Sequence, residues 1–284
     1  MNRIYLQLYS FGHESTLSLK DKLRVTADIG FTGVEFAGGY DNISAEELKQ
    51  WLDEYNLEAI SAHVPMNAIS TSLPYMATLG AKMLIVPSHP FASKSEAIEV
   101  AELLNQHAKE GESYGIRVGY HNHTSEFYLD EGKPLLDYVI ENTDPNLVSF
   151  ELDCGWASAA GVNPVEYIRK HSGRFIAVHV KENSKVLGPD KPRSLHEEEA
   201  NRPKFERDEN GNLIIPEEIR RKFEEHMKVD VATGTGIVDW KAVKEVADAQ
   251  GCIAYIIERE WSYNEPPDRI QCLREDFTFV KTNL

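Results

Sequence analysis

The sequence predicts an α/β fold, specifically a (β/α)8 TIM barrel with a long insertion after the seventh strand. Three observations carry this reading. Apolar runs of about four to eight residues alternate from end to end with longer helix-like stretches, as parallel strands joined by crossover helices do. The length of 284 residues suits one such barrel, typically of roughly 250 residues, so a single domain spanning 1–284 is expected. Finally, four runs in the second half each bring a metal-seeking side chain to the C-terminal end, where barrels of this kind gather their catalytic groups.

The eight expected strands are Ile4 to Tyr9, Gly33 to Phe36, Glu58 to Val64, Met83 to Ser88, Ile116 to His123, Val148 to Asp153, Phe175 to Lys181 and Ala254 to Glu260. Between them, Ser44 to Asn56 reads as a helix, with Ser44 and Glu47 spaced as a capping box, and Ser95 to Tyr114 as another. Gly30, Gly80, Gly115 and Gly251 stand where helices must stop before the second, fourth, fifth and eighth strands. The stretch 183–232 is polar, contains proline and is far longer than an ordinary βα loop. Within it Pro216 to Lys228 reads as a short charged helix with Ile219, Phe223 and Met227 on one stripe. Such an insertion on the C-terminal face would serve as a lid, reach a neighbouring subunit, or be a solvated surface elaboration. Gly234-Thr235-Gly236 lacks the spacing of a dinucleotide loop and the lysine of a P-loop, and reads as a tight turn before a helix near Asp239-Trp240.

A formal charge of −16 opposes binding to phosphate backbones, so no nucleic-acid partner is expected. No run approaches the ~18 apolar residues of a membrane span, and the first residues contain no cleavable apolar segment, which predicts a cytoplasmic protein without a membrane partner. Cys154, Cys252 and Cys272 are odd in number and lack paired C-x-x-C spacing, arguing against a disulfide framework or a zinc ribbon. The triplets at Asn42 and Asn122 are then coincidental as glycosylation acceptors.

Alternation along a strand places Phe150/Leu152, Ile176/Val178/Val180 and Tyr255/Ile257 on one face, and Glu151/Asp153, His179/Lys181 and Glu258/Glu260 on the other. Asp, His and Glu on separate strand ends offer oxygen and imidazole ligands for Mn²⁺, Mg²⁺, Co²⁺ or Zn²⁺, with positions left open for substrate. Asp153, His179 and Glu258 are the expected ligands of one divalent ion. Glu151 lies a layer deeper and needs a cation or a proton; it is a further ligand, a base, or the partner of Lys181 or Arg117. His121 and His123 share a face, with His121 expected toward the metal and His123 nearer solvent. In the first half, Glu35 and His63 end their strands opposite Val34/Phe36 and Ile60/Ala62/Val64, either hydrogen-bonding substrate hydroxyls or lying behind the residues that do. His89 and Trp156 follow the fourth and sixth strands and suit a sugar ring, with core packing the alternative for Trp156.

Together these pieces resemble the xylose isomerase-like barrel superfamily, in particular its sugar phosphate isomerase/epimerase group. The resemblance runs through Gly30-Phe31-Thr32-Gly33-Val34-Glu35, Ser61 to Pro65, the string Tyr120-His121-Asn122-His123-Thr124-Ser125-Glu126-Phe127, Phe150 to Asp153, Val178 to Lys181, Gly234 to Trp240 and Ile257-Glu258. It implies a divalent metal held at the ends of strands five to eight, carried over here to His121, Asp153, His179 and Glu258. His121 departs from the glutamate common at the first of these positions, so a mechanism built on two proton-transferring glutamates does not transfer intact. The implied substrate is a keto sugar, sugar derivative or keto-inositol, and the implied reaction is isomerisation or epimerisation through an enediolate. Glu258, Glu151 or His121 is the candidate base, and Lys181 the candidate oxyanion stabiliser. Few other basic residues end strands, which favours an unphosphorylated substrate. The alternatives are a lyase of the inosose dehydratase type, a DNA-cleaving relative, which the acidic charge disfavours, and a non-catalytic sugar-binding barrel. A homodimer is the default expectation.

Overall fold

The computed structural model describes residues 3–12, 15–40, 42–200, 206–207, 213–214, 217, 229–260 and 268–284. Eight parallel strands close into a barrel in sequential order: β1 (Ile4–Gln7), β2 (Gly33–Phe36), β3 (Glu58–His63), β4 (Met83–Val86), β5 (Arg117–His121), β6 (Val148–Asp153), β7 (Phe175–Val180) and β8 (Ala254–Ile257), which pairs back onto β1. The helices are α1 (Leu19–Ile29), α2 (Ala45–Glu54), α3 (Ile69–Leu79), α4 (Lys94–Glu112), α5 (Leu135–Asn142), α6 (Cys154–Ala159), α7 (Pro164–Lys170), α8 (Leu195–Ala200), α9 (Trp240–Ala249) and α10 (Arg269–Asn283). No helix of the described residues is long and apolar enough to cross a membrane.

Local chemistry starts and stops these helices at the expected places. Ser44 accepts a hydrogen bond from the Glu47 amide at the start of α2, and Asp239 from that of Ala242 at the start of α9. Gly30 and Gly80 end α1 and α3 with φ of 111° and 82°, a region that side chains bearing a Cβ avoid. Several strands are shorter than the apolar runs suggested: β1 gives way to a 3-10 turn over Leu8–Phe11, and β8 ends at Ile257. The expected helix at Pro216 to Lys228 lies outside the described residues, apart from Glu217.

The core has two compartments. Between barrel and helices lies a large apolar layer including Leu6, Val34, Phe36, Phe150, Leu152, Val178 and Ile257. Inside the barrel a smaller cluster of Tyr5, Ile60, Met83, Ile85, Ala177, Ala254 and Ile256 forms a floor, with Ile176 packed against it. Ile60 and Ile176 correct the simple alternation, which had grouped them with Ala62 and with Val178. Register shifts oppose Val34/Glu35 to Ala59/Ser61, and Phe150/Glu151 to Phe175/Ala177, so each isoleucine is the extra residue of a bulge. Above the floor the register itself sets polar residues side by side: Gln7 with Glu35, His121 with Glu151, and Asp153 with His179.

Candidate metal centre and active-site cavity

The residues at the strand ends β5 to β8 converge. His121, Asp153, His179 and Glu258 each offer a nitrogen or oxygen ligand atom, all within 4.8 Å of one another, and all four residues are buried. A second set, His63, His121, Glu151 and His179, meets the same criterion and shares two histidines with the first. His179 is the hinge between them. Its Nδ1 lies 2.5 Å from Glu258 Oε2, while its Nε2 lies 2.8 Å from Glu35 Oε1 and 3.0 Å from Glu151 Oε2.

Asp153 is divided between two tasks. Its Oδ1 caps α6 by accepting from the Trp156 amide at 2.7 Å, and its backbone pairs reciprocally with the Asn122 side chain at 3.0 and 3.2 Å. Its Oδ2 is buried and has no hydrogen-bond partner among the described residues, lying 3.9 Å from His121 Nε2 and 3.8 Å from His179 Nδ1. A buried carboxylate oxygen without a partner is costly, and one placed beside two imidazoles and a second carboxylate belongs to a donor set that suits a divalent cation. The residues therefore fit such an ion. The carboxylates behind His179 would fix its tautomer, as carboxylates hydrogen-bonded to metal-ligating histidines do.

The electrostatics follow from burying many charges together. Burial lowers the His121 pKa to about 3, against the pull of Glu151, so its imidazole is neutral. Burial also lowers the pKa of His123. For His179 and His63 burial opposes charging, but the surrounding glutamates overcome it and raise both. Asp153 is pushed up to about 7, chiefly by burial, with Glu258 adding to the rise and His179 opposing it. Burial acts to raise Glu258 and Glu151 too, but His179 and its neighbours hold both below the usual carboxylate range. Glu35 is raised by burial and by Glu151.

A cavity of about 690 Å³ opens onto this cluster, lined by His63, His121, His123, Trp156, Glu258 and Glu260 among others. Glu35, expected against substrate or behind it, is fully enclosed and bonded to Gln7 (2.6 Å), Ser61 (2.6 Å) and His179. Glu151 is likewise enclosed; its partners are His63, His121 and His179. The pairing with Lys181 or Arg117 considered from sequence is not what forms: Arg117 bonds Ser149 at 2.7 Å, and Lys181 faces Asp230 at 3.2 Å and Glu260 at 3.4 Å. Lys181 is fully buried, 4.8 Å from the Trp156 ring centroid, and stands behind the cavity wall rather than in it. His89 lines a neighbouring cavity instead.

Sequence reasoning missed Asp230 as the partner of Lys181, because it sits in a polar stretch without periodicity. It is placed by an isolated antiparallel bridge to Asn183. The role of Glu182 was also hidden. It accepts from the amides of Gly234 and Val238 and from Trp240 Nε1 at 3.1, 3.1 and 2.7 Å, tying the Gly-Thr-Gly turn to the end of β7. A Cβ on Gly236 would fall 2.2 Å from the Asn183 carbonyl oxygen, so the close approach requires glycine there.

The chain is similar to several characterised barrels. It is 25% identical over 198 residues to inosose dehydratase of Salmonella typhimurium, a match covering 60% of this chain and 64% of that protein. The chain spans less than two thirds of the length of the curated relatives it matches. A sugar phosphate isomerase/epimerase from Parabacteroides distasonis superposes with a TM-score of 0.75 at 21% identity, covering 99% and 98% of the two chains. An IOLI protein crystallised with a zinc atom superposes with a TM-score of 0.67 at 12% identity, covering 99% and 97%. The family model for the xylose isomerase-like TIM barrel matches residues 23–281, and the chain belongs to that family.

Proposed function

We propose that this protein is a divalent-metal-dependent isomerase or epimerase of a keto sugar or sugar derivative. The observation that carries the reading is the convergence of His121, Asp153, His179 and Glu258 at four successive strand ends, with His121 and Glu258 lining one open cavity. An ion bound there would polarise a carbonyl oxygen and an adjacent hydroxyl, and offset the negative charge that develops when the intervening C–H is deprotonated.

The protein's own groups divide the remaining work. Glu258 is the best-placed base: it lines the cavity and is held as a carboxylate, able to take the C–H proton and return it to the same or the neighbouring carbon. His121, with its pKa near 3, is a poor base and a good neutral ligand. Glu151, enclosed among three imidazoles, serves to orient His179 and His121. Lys181 is kept charged chiefly by Asp230 despite its burial, placing a positive charge behind Trp156 and the cavity wall. Trp156 and His63 form the walls against which a sugar ring would lie.

A second reading, a lyase acting on a keto-inositol or keto sugar, shares the first proton abstraction and then expels a β-hydroxyl as water. It draws support from the inosose dehydratases among the relatives and from Glu260. Burial pushes that carboxyl up to about 8, so a protonated acid lines the cavity. Elemental analysis of the purified protein, followed by proton NMR in D₂O with keto sugars and keto-inositols, tests both readings. About one metal per chain with C–H exchange and no loss of water supports the isomerase or epimerase; loss of water from the product supports the lyase. Absence of metal after reconstitution, with no exchange on any compound, would leave a sugar-binding barrel.

A further inference from the structure

Beside the cavity at the donor cluster lies a second one of about 720 Å³, and Ser88, His123 and Asp190 line both. Each is large enough for a small molecule by itself, such sites running roughly 300–1,000 Å³. The wall they share starts next to the donor cluster, since the His123 ring centroid is 5.1 Å from that of His121.

The walls of the second cavity are held in place. Asp190 is bonded to Thr124, Oδ2 to Oγ1 at 2.5 Å, and the amides of Leu187 and Gly188 donate to the Ala159 carbonyl at 2.7 and 2.9 Å. On the opposite side, the His89 amide donates to Tyr120 Oη at 3.0 Å, and that hydroxyl donates to Glu126 Oε1 at 3.0 Å. The lining carries four carboxylates, Glu126, Asp190, Glu197 and Glu198, against two cations, Lys191 and Arg193. A phosphate would meet more like charge than opposite charge. Neutral hydroxyls can use both kinds of group, donating to the carboxylates and accepting from the cations.

We propose that the second cavity is a subsite for a second sugar ring, so that the substrate is a glycosylated, unphosphorylated keto sugar. Its keto ring lies at the donor cluster, and the attached ring lies in the second cavity, across the wall shared by Ser88, His123 and Asp190. The inference rests on the reading that the first cavity takes a keto sugar. It also separates this chain from any relative acting on a phosphate ester.

The test is isothermal titration of the full chain, reconstituted with Zn²⁺, with D-fructose, fructose 6-phosphate and the keto-disaccharides isomaltulose, maltulose, turanose and lactulose. At least one disaccharide should bind about ten-fold or more tighter than D-fructose, fructose 6-phosphate should gain nothing over D-fructose, and Arg193→Ala should reduce the disaccharide-to-fructose ratio toward one. Disaccharides binding no better than D-fructose, or no disaccharide binding at all, would overturn the subsite, as would a preference for the phosphate ester. Failure of the first-cavity reading looks different. Disaccharide binding that keeps its ten-fold advantage and is unchanged by Asp153→Asn or by metal removal supports the second subsite while removing the metal centre from sugar recognition.

Discussion

At the scale of single residues, Asp153 joins most of the site's physics. One oxygen caps a helix, the other points without a hydrogen-bond partner at two imidazoles, and its carboxyl is pushed up to about 7 before any metal binds. A proton and a divalent ion then compete for the same oxygen. Below about pH 7 the proton wins more often, so metal affinity should rise with pH through that value, and binding near pH 6 should release protons into the buffer. Calorimetry in two buffers of different ionisation enthalpy measures this, and an affinity flat between about pH 5.5 and 8 would contradict it. Replacing Asp153 or His179 with alanine should take bound metal from about one per chain to near zero by elemental analysis. A double variant that stayed fully metallated would refute the ligand assignment. Much of this residue-level chemistry is legible in the sequence, because a strand's period of two puts Glu151/Asp153 and His179/Lys181 on one face once the strands are recognised. The enclosure of Glu35 was not legible: it depends on Gln7, Ser61 and His179 arriving from three other strands.

At the scale of elements, neighbouring helices of the outer layer are locked to one another by a buried polar clasp as well as apolar packing. Asp137 on α5 accepts from Tyr167 Oη at 2.7 Å, lies 2.8 Å from His171 Nε2, and pairs with Lys170, all three on or just after α7. Burial opposes its ionisation, but the bonds from His171, Lys170 and Tyr167 prevail and hold its carboxyl below the usual value. A lowered folded-state pKa stabilises the fold above the unfolded value, ordinarily about 4, and that contribution is lost as pH falls through the folded one. Asp137→Asn should therefore cost about 1–3 kcal/mol near pH 7. The gap should shrink toward zero when urea unfolding is repeated at a pH below the lowered folded-state pKa of Asp137, where wild type has lost the charge as well. An equal deficit at both pH values would mean that shape and packing, rather than the carboxylate's charge, make Asp137 matter. The bulges at Ile60 and Ile176 belong to this scale too. Alternation predicts a face only while the ladder is regular, and a one-residue bulge re-aims a side chain with no marker in composition.

At the scale of the whole molecule, four of the eight barrel strands contribute ligand atoms to the donor set, so an ion bound there would link them. An ion that binds only the folded chain stabilises it by mass action, about 2.7 kcal/mol at a hundred-fold excess over its dissociation constant. For a protein of 284 residues that is roughly 4–5 °C in Tm. Adding a chelator to the metal-loaded protein should lower Tm by about that amount, and adding back Zn²⁺ or Mn²⁺ should restore it; a scan indifferent to chelator would place any bound ion away from the strand ends. By itself the sequence determined the number and order of the barrel strands, several helix caps, and the identities of the residues at the mouth of the barrel, because periodicity, glycine stops and capping residues act over a few neighbours. Only the tertiary structure decided that Glu151 answers to three histidines rather than to Lys181, that Lys181 is buried against Asp230, and that the donor cluster opens into one cavity with another beside it. Those outcomes depend on which side chains, tens of residues apart, the closing of the barrel brings within a few ångströms, and no local signal carries that information.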